Sequence, residues 1–297
     1  MKNSLTRRQI AALVPGLLGG AAFAPPLRAQ KISPLKPPDQ GGVPVAVLIS
    51  ENAVVMDFCG PIAVFEGVNI PSRGSSAFDL YTVAETADPV KATGGLTIVP
   101  RYTFANAPQP KVILIPEQRG GMAMVDWVKS KSQAADMTMS VCTGAFLLAQ
   151  TGLLNGKSAT THHGSYGRFG MSMKEIRLKR GYRFVDEGNV ATSGGLSCGM
   201  DLALHVVERY YGRQVAENTA YWLEYQGEGW KDVTGASNAA YAKHSANGLE
   251  CPICTMPVDA AAVNKSEYKA KTYYFCSGQC KKRFDEDPAG ALEAMSA

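Results

Sequence analysis

Apolar residues follow two rhythms along this chain. Residues 43–50 (Val-Pro-Val-Ala-Val-Leu-Ile-Ser) are apolar at nearly every position, and residues 111–116 repeat the pattern with Val-Ile-Leu-Ile. Short continuous runs of this kind suit strands buried on both faces of a parallel sheet. Further strands are predicted at 78–84, 96–100, 137–141, 158–161, 182–185 and 189–192. Between them lie helical stretches: 61–68, with Pro61 suited to a first turn, then 122–131, Thr143 to an end at Gly152, 197–211 and 215–224. Strands alternating with helices predict an α/β fold with a parallel sheet covered on both sides.

After Trp230 the rhythm stops. Residues 235–248 are rich in Ala, Ser, Asn and Gly and read as linker. Residues 249–297 are too few for a self-sufficient core, yet hold four of the seven cysteines, which points to a metal or disulfide staple. The first residues differ again. Residues 1–8 are polar and basic, 10–24 are mildly apolar, and Leu27-Arg28-Ala29 is an A-x-A-like cleavage site. Pro15, Gly16, Gly19 and Gly20 break the apolar stretch, so no stable membrane span is expected there. Arg7-Arg8, after Thr6 and before Gln9-Ile10, resembles a twin-arginine export signal, although Ile10 and Ala11 stand where Phe and Leu are usual. The expectation is a signal peptide at 1–29 handled by the twin-arginine machinery and a periplasmic mature protein; secretion of the unfolded chain is the alternative. The remaining divisions are a linker at 30–42, an α/β domain at 43–230, a second linker at 231–248 and a small module at 249–297.

Composition changes this picture little. Hydrophobic content of 45% and charged content of 19% are those of an ordinary globular protein. The net charge of +4 is accounted for by Lys2, Arg7, Arg8 and Arg28 in the acid-free first 29 residues, which leaves the rest near neutral, so electrostatics give no argument for nucleic acid and none is expected as a partner.

The first candidate site is Ser140-Val-Cys142-Thr-Gly144, a cysteine between a predicted buried strand and a predicted helix. That is the geometry of a nucleophile elbow, where a sharp turn lifts the side chain above the sheet edge and a helix N-terminus favours a thiolate. A buried structural cysteine is the other reading. Residues 141–149 (Val-Cys-Thr-Gly-Ala-Phe-Leu-Leu-Ala) followed by 152–162 (Gly-Leu-Leu-Asn-Gly-Lys-Ser-Ala-Thr-Thr-His) resemble the ThiJ/PfpI superfamily, which is class I glutamine amidotransferase-like. The branch most similar is shared by isonitrile hydratases and the ligand-sensing halves of some transcription regulators. Met56-Asp57-Phe-Cys-Gly60-Pro61 and Ala191-Thr-Ser-Gly-Gly195 through Leu204 agree with it. The resemblance covers roughly residues 43–226. It implies a flavodoxin-like three-layer sandwich, Cys142 as nucleophile, Asp57 as the acid facing it, His162 approaching the nucleophile, and the Thr143 backbone N–H as an oxyanion donor. No cofactor is implied for this domain. A carboxyl beside a thiol can deliver and accept the proton that an addition needs; Asp57 can also be read as a helix cap. His163 is a looser candidate beside His162.

One departure stands out. The family has Pro-Gly-Gly after the strand matching residues 111–115, and those glycines help bind the oxyanion; this chain has Pro116-Glu-Gln-Arg-Gly-Gly121. The second oxyanion donor is therefore in doubt, and Glu117 and Arg119 are positioned to reshape the pocket. Cys198 reads as a small buried residue, while Cys59 is placed to reach the pocket mouth or to pair with Cys142. The basic run Lys174, Arg177, Lys179, Arg180, Arg183 reads as a solvated face.

The second candidate site is Cys251-Pro-Ile-Cys254 with Cys276-Ser-Gly-Gln-Cys280, two short-spaced pairs separated as a tetrahedral Zn²⁺ thiolate site requires. A strand-like stretch at 271–275 and a helix from 279 to 284 accompany it. The stretch also resembles the YHS module, which is found with metal-handling proteins and keeps copper or another soft ion open as the ligand; two disulfides are the other reading. The combined expectation is an exported enzyme in which Cys142 attacks a small electrophilic substrate (isonitrile, aldehyde or amide type), with a metal ion in the appended module. A non-enzymatic periplasmic ligand sensor or Zn/Cu-handling protein is the alternative, and because relatives often dimerise a homodimer is allowed.

Overall fold

The computed structural model describes residues 33–232, 249–253, 258, 261 and 263–296. The signal expected at 1–29, nearly all of the linker expected at 231–248, and Cys254 lie outside the described residues. The α/β part runs β1 (Val43–Leu48), α1 (Val55–Glu66), β2 (Phe78–Ala84), β3 (Val90–Lys91), β4 (Thr97–Ile98), β5 (Tyr102–Thr103), β6 (Val112–Ile115), α2 (Met122–Lys131), β7 (Met137–Ser140) and α3 (Gly144–Gln150). It continues through β8 (Ser158–Ala159), α4 (Tyr166–Ser172), β9 (Arg177–Leu178), β10 (Phe184–Asp186), β11 (Val190–Ser193), α5 (Cys198–Tyr211) and α6 (Arg213–Trp222).

Seven strands form one sheet in the order β10-β11-β7-β6-β1-β2-β5. The apolar runs sit at its centre, as their lack of polar positions requires, and alternate strand residues serve two cores. Val43, Val45, Val47, Val112 and Leu114 pack with α1, α5 and α6, whereas Ala46, Leu48, Ile113 and Ile115 pack with α2 and α3. The sheet is mixed, not wholly parallel as expected: β10 runs antiparallel to β11. Only residues 187–189 connect these two strands, and a parallel connection needs a crossover of about a dozen residues or more. Gly188, at φ 97°, makes the turn. The Asp186 carboxylate then anchors the edge by accepting from the Gly188 N–H, His205 and Arg209.

Other boundaries moved for tertiary reasons. α1 starts at Val55, so Pro61 lies inside the helix and not in its first turn. The first turn is tied down elsewhere, because the Asp57 carboxylate accepts backbone N–H groups from two loops. The strand expected at 96–100 shrinks to β4, which pairs only with β3, and that at 158–161 shrinks to β8, which pairs with β9.

The C-terminal module contains an antiparallel hairpin, β12 (Lys265–Tyr268) with β13 (Lys271–Tyr274), then α7 (Gly278–Glu286) and α8 (Pro288–Ser296). Its small core gathers Cys251, Ile253, Phe275, Phe284 and Ala291, and Met171 of α4 packs against it. α8 also packs on α4. The contact is close at Gly167, where a Cβ would overlap the Ile253 carbonyl, so the cysteine turn rests directly on this helix.

Candidate functional site

Cys142 stands two residues past the end of β7, after Val141, and has φ 59°, a left-handed conformation that non-glycine residues seldom adopt. The strain, of order 1–3 kcal/mol, persists because the turn is clamped around it. The Cys142 N–H donates to the Gly194 carbonyl at 3.0 Å, and the Thr161 hydroxyl donates to the Cys142 carbonyl at 2.9 Å. Gly144 is needed two residues on, since a Cβ there would run into the Ile115 carbonyl. The elbow expected from residues 140–144 is therefore present, with Cys142 4% exposed.

Two carboxylates meet the sulfur. Asp57 in α1 is wholly buried; its Oδ2 accepts the Glu117 N–H at 3.0 Å and its Oδ1 the Leu196 N–H at 3.1 Å. Glu117 stands just past β6, and its carbonyl accepts the Val54 N–H at 2.8 Å. Its side chain reaches Cys142, whose Sγ donates to Glu117 Oε2 at 2.9 Å. One ligand atom from each of Asp57, Glu117 and Cys142 lies within 4.8 Å of the others.

Burial pushes the Asp57 carboxyl up to about 6, against the pull of its two backbone donors. Cys142 is also shifted upward, by burial first and then by the Asp57 and Glu117 charges, with the Thr143 N–H opposing. This reverses the expectation of a thiolate favoured by a helix N-terminus. α3 has only seven residues, and a desolvated sulfur between two acids holds its proton. In the structure the thiol donates to Glu117.

The Thr143 backbone N–H is the one group that favours the ionised thiol, and it acts least among the causes of the shift. His162 is half-buried near the site; a Cβ on Gly195 would overlap its ring, and its Nδ1 accepts the Gly164 N–H at 3.2 Å, which leaves the proton on Nε2. Burial lowers its pKa, with Glu117 acting in the opposite direction. His163 stacks obliquely on it, ring centres 4.3 Å apart. The Sγ partner is Glu117 and not either histidine. Glu117 was expected only to reshape the pocket, and its contact with the sulfur was not foreseen. The available signal was the replacement of the expected glycine after Pro116. The same N–H that a glycine would offer an oxyanion is here spent on Asp57.

Cys198 is buried as expected, while Cys59 is exposed on α1 and neither it nor Cys142 is in a disulfide. In the basic run, Lys174 and Arg177 are solvated, but Arg183 pairs with the buried Asp201.

In the C-terminal module, ligand atoms of Cys251, Cys276 and Cys280 lie within 4.8 Å of one another. Cys276 Sγ and Cys280 Sγ are 3.7 Å apart, too far for a disulfide and close to the edge of a tetrahedron with Zn–S bonds of about 2.3 Å. The donors thus fit a thiolate-loving ion, and Cys251, Cys276 and Cys280 would hold it. Such an ion would tie together turns that this small core leaves weakly joined. Purified protein is expected to carry about one metal ion per chain. Cys280→Ser should lower both that content, by elemental analysis, and the melting temperature.

Comparison with known proteins agrees with both regions. Residues 250–290 match the YHS domain and residues 43–209 match the DJ-1/PfpI family. An isonitrile hydratase from Pseudomonas putida is 31% identical over 187 residues, covering 61% of this chain and 78% of that protein. Protein DJ-1alpha of Drosophila melanogaster is 28% identical over 48% of this chain and 69% of its own length. The HTH-type transcriptional regulator GbdR of Pseudomonas aeruginosa is 22% identical over 58% of this chain, which spans only 48% of the regulator. Among solved structures, a THiJ/PfpI family protein from Pseudomonas syringae superposes with a TM-score of 0.56 at 21% identity, covering 88% of this chain and 94% of that one. With the family's match spanning more than half its length around the strained cysteine and its buried acid, the chain belongs to the DJ-1/PfpI family and carries a YHS domain.

Proposed function

We propose that this protein is a cysteine-dependent enzyme that adds water to a small electrophilic carbon, with an isonitrile as its most specific substrate. The observation that carries the reading is the Cys142 Sγ–H···Glu117 hydrogen bond beside the wholly buried Asp57, whose carboxyl is raised to about 6 by burial. The 31% identity to an isonitrile hydratase supports the substrate class.

Cys142 Sγ attacks the terminal isonitrile carbon and forms a C–S bond while its proton passes to Glu117. A carboxyl, Asp57 in its protonated form, gives a proton to the same carbon, leaving a thioimidate. Water then adds to that carbon, losing one proton to the Asp57 carboxylate while Glu117 returns its proton to the imine nitrogen. The C–S bond breaks as the new hydroxyl becomes a carbonyl, its proton passes through Glu117 to the sulfur, and the product is an N-substituted formamide. Each step moves protons between groups within reach of the sulfur, which is what positioned acid–base pairs contribute.

Conversion of a panel of isonitriles to formamides, followed by NMR, tests the proposal. Cys142→Ser should cut turnover by about 1,000-fold or more. Failure of every isonitrile, with no adduct on Cys142 by mass spectrometry, would end the hydratase reading. The pH profile carries a second expectation. Asp57 must hold its proton to act as the acid, and its pKa is raised to about 6, so turnover should fall as pH rises through about 6. Asp57→Asn should flatten that limb, and a rate constant from pH 5 to 8 would remove Asp57 from the role.

A second reading is favoured by one observation: Cys276 is exposed, so the C-terminal thiolates are open to exchange of an ion with a partner. A metal-handling function would show as rapid metal transfer to a chelating acceptor with no dependence on Cys142. Export through the twin-arginine route belongs to the same proposal and rests on Arg7-Arg8 and the cleavage-like Leu27-Arg28-Ala29.

A further inference from the structure

A cavity of about 830 Å³ opens between the α/β part and the C-terminal module. That is room for a whole small-molecule ligand, whose sites commonly span about 300–1,000 Å³. Glu117, which accepts from the Cys142 sulfur, and Thr143, the next residue after that cysteine, are among its lining residues. Ile253 and Arg283 of the C-terminal module line it as well.

Three guanidinium groups, of Arg119, Arg168 and Arg283, line this space. Arg168 is held in place, with its guanidinium 4.4 Å from the centre of the Phe146 ring and a 3.4 Å hydrogen bond to the Ser165 hydroxyl. Three carboxylates also line it, so the formal charges balance, but their placement differs. Glu117 faces the thiol, and Asp287 Oδ1 turns back to accept the Gly290 N–H in α8. Glu286 and Asp287 are the acids that share the wall of the C-terminal module with Arg283. Guanidinium forks match carboxylates bidentately and are the natural receptors for planar anions.

We infer that the cavity is a two-module substrate seat that selects electrophiles carrying a carboxylate, with Arg168 from the α/β part and Arg283 from the C-terminal module as the anion receptors. The inference rests on Cys142 being the nucleophile. It gives the C-terminal module a part in specificity as well as in holding a metal ion.

The test compares second-order rates of Cys142 alkylation by iodoacetate and by neutral iodoacetamide at about pH 9, in the full-length metal-loaded protein. In the Arg168→Gln/Arg283→Gln variant the iodoacetate-to-iodoacetamide ratio should fall about fivefold or more, with the iodoacetamide rate nearly unchanged. Glu286→Gln should move the ratio the opposite way, and Arg283→Gln alone should show a part of the loss. An unchanged ratio in the double variant overturns the anion seat while leaving the nucleophile intact. If Cys142 reacts with neither reagent, the nucleophile reading fails instead. The seat is then read from thermal stabilisation by malonate against malonamide. Stabilisation by malonate that disappears in the double variant supports the seat, and none in the wild type overturns it.

Discussion

Replacing Glu117 with Gln is expected to raise the reactivity of Cys142 while lowering turnover, two effects that normally move together. Burial, Asp57 and then Glu117 hold the thiol pKa above its ordinary value. Gln keeps an acceptor oxygen near Sγ but removes the charge, so more of the sulfur ionises at a given pH. A lower pKa also makes the thiolate a weaker nucleophile, which cancels about half of the gain on a logarithmic scale. The net result should be alkylation by iodoacetamide about three to ten times faster at pH 8. Turnover should fall by about 100-fold or more, because the group that takes the thiol proton during attack is gone. Stopped-flow alkylation and steady-state assays on the same preparation decide it. Should both rates fall together, Glu117 would be shaping the pocket and not handling the proton.

The same residue marks how far the site could be read from the chain. Cys142 was legible because a cysteine between a strand and a helix, with Gly144 two residues on, reads as a sharp turn, and the φ of 59° shows how tight that turn is. Asp57 was legible only through resemblance; nothing local says that a carboxyl in a first helical turn will be buried between the loops that carry Glu117 and Leu196. The electrostatic sign at Cys142 was not legible at all. A helix N-terminus beside a thiol suggests a low pKa. The opposing burial and the second acid depend on where residues 25 positions away come to lie.

Fold legibility follows the same division. Strands buried on both faces, such as residues 43–48 and 112–115, announce themselves because no position in them tolerates a polar side chain. The edge strand β10 carries no such mark of direction, and its antiparallel course is set by the short connection through Gly188. The C-terminal cysteines could be paired by spacing alone, with Cys254 outside the described residues. That the module also forms a wall of the cavity beside Glu117 and Thr143 depends on packing against α4, for which residues 166–172 offer no periodic signal.

That packing leads to the second large effect: Gly167→Ala should destabilise the protein, against its local helix preference. In an isolated helix, Gly to Ala gains roughly 1 kcal/mol. In α4 the added methyl would occupy the space of the Ile253 carbonyl, and a backbone atom cannot rotate away as a side-chain tip can. Relief requires the turn from Cys251 to Ile253 to lift from the helix. The expected cost is about 2–3 kcal/mol, the range of forced overpacking at a buried contact. The melting temperature should drop, amide exchange should rise in α4 and α8, and the metal should become easier to chelate because Cys251 belongs to the displaced turn. The cavity wall at Ile253 and Arg283 would move with it, so the iodoacetate preference of Cys142 should weaken while the elbow, clamped by Gly194 and Thr161, keeps its geometry. A more stable Gly167→Ala protein would show that the module does not rest on this helix in solution, and the two-module seat would go with it.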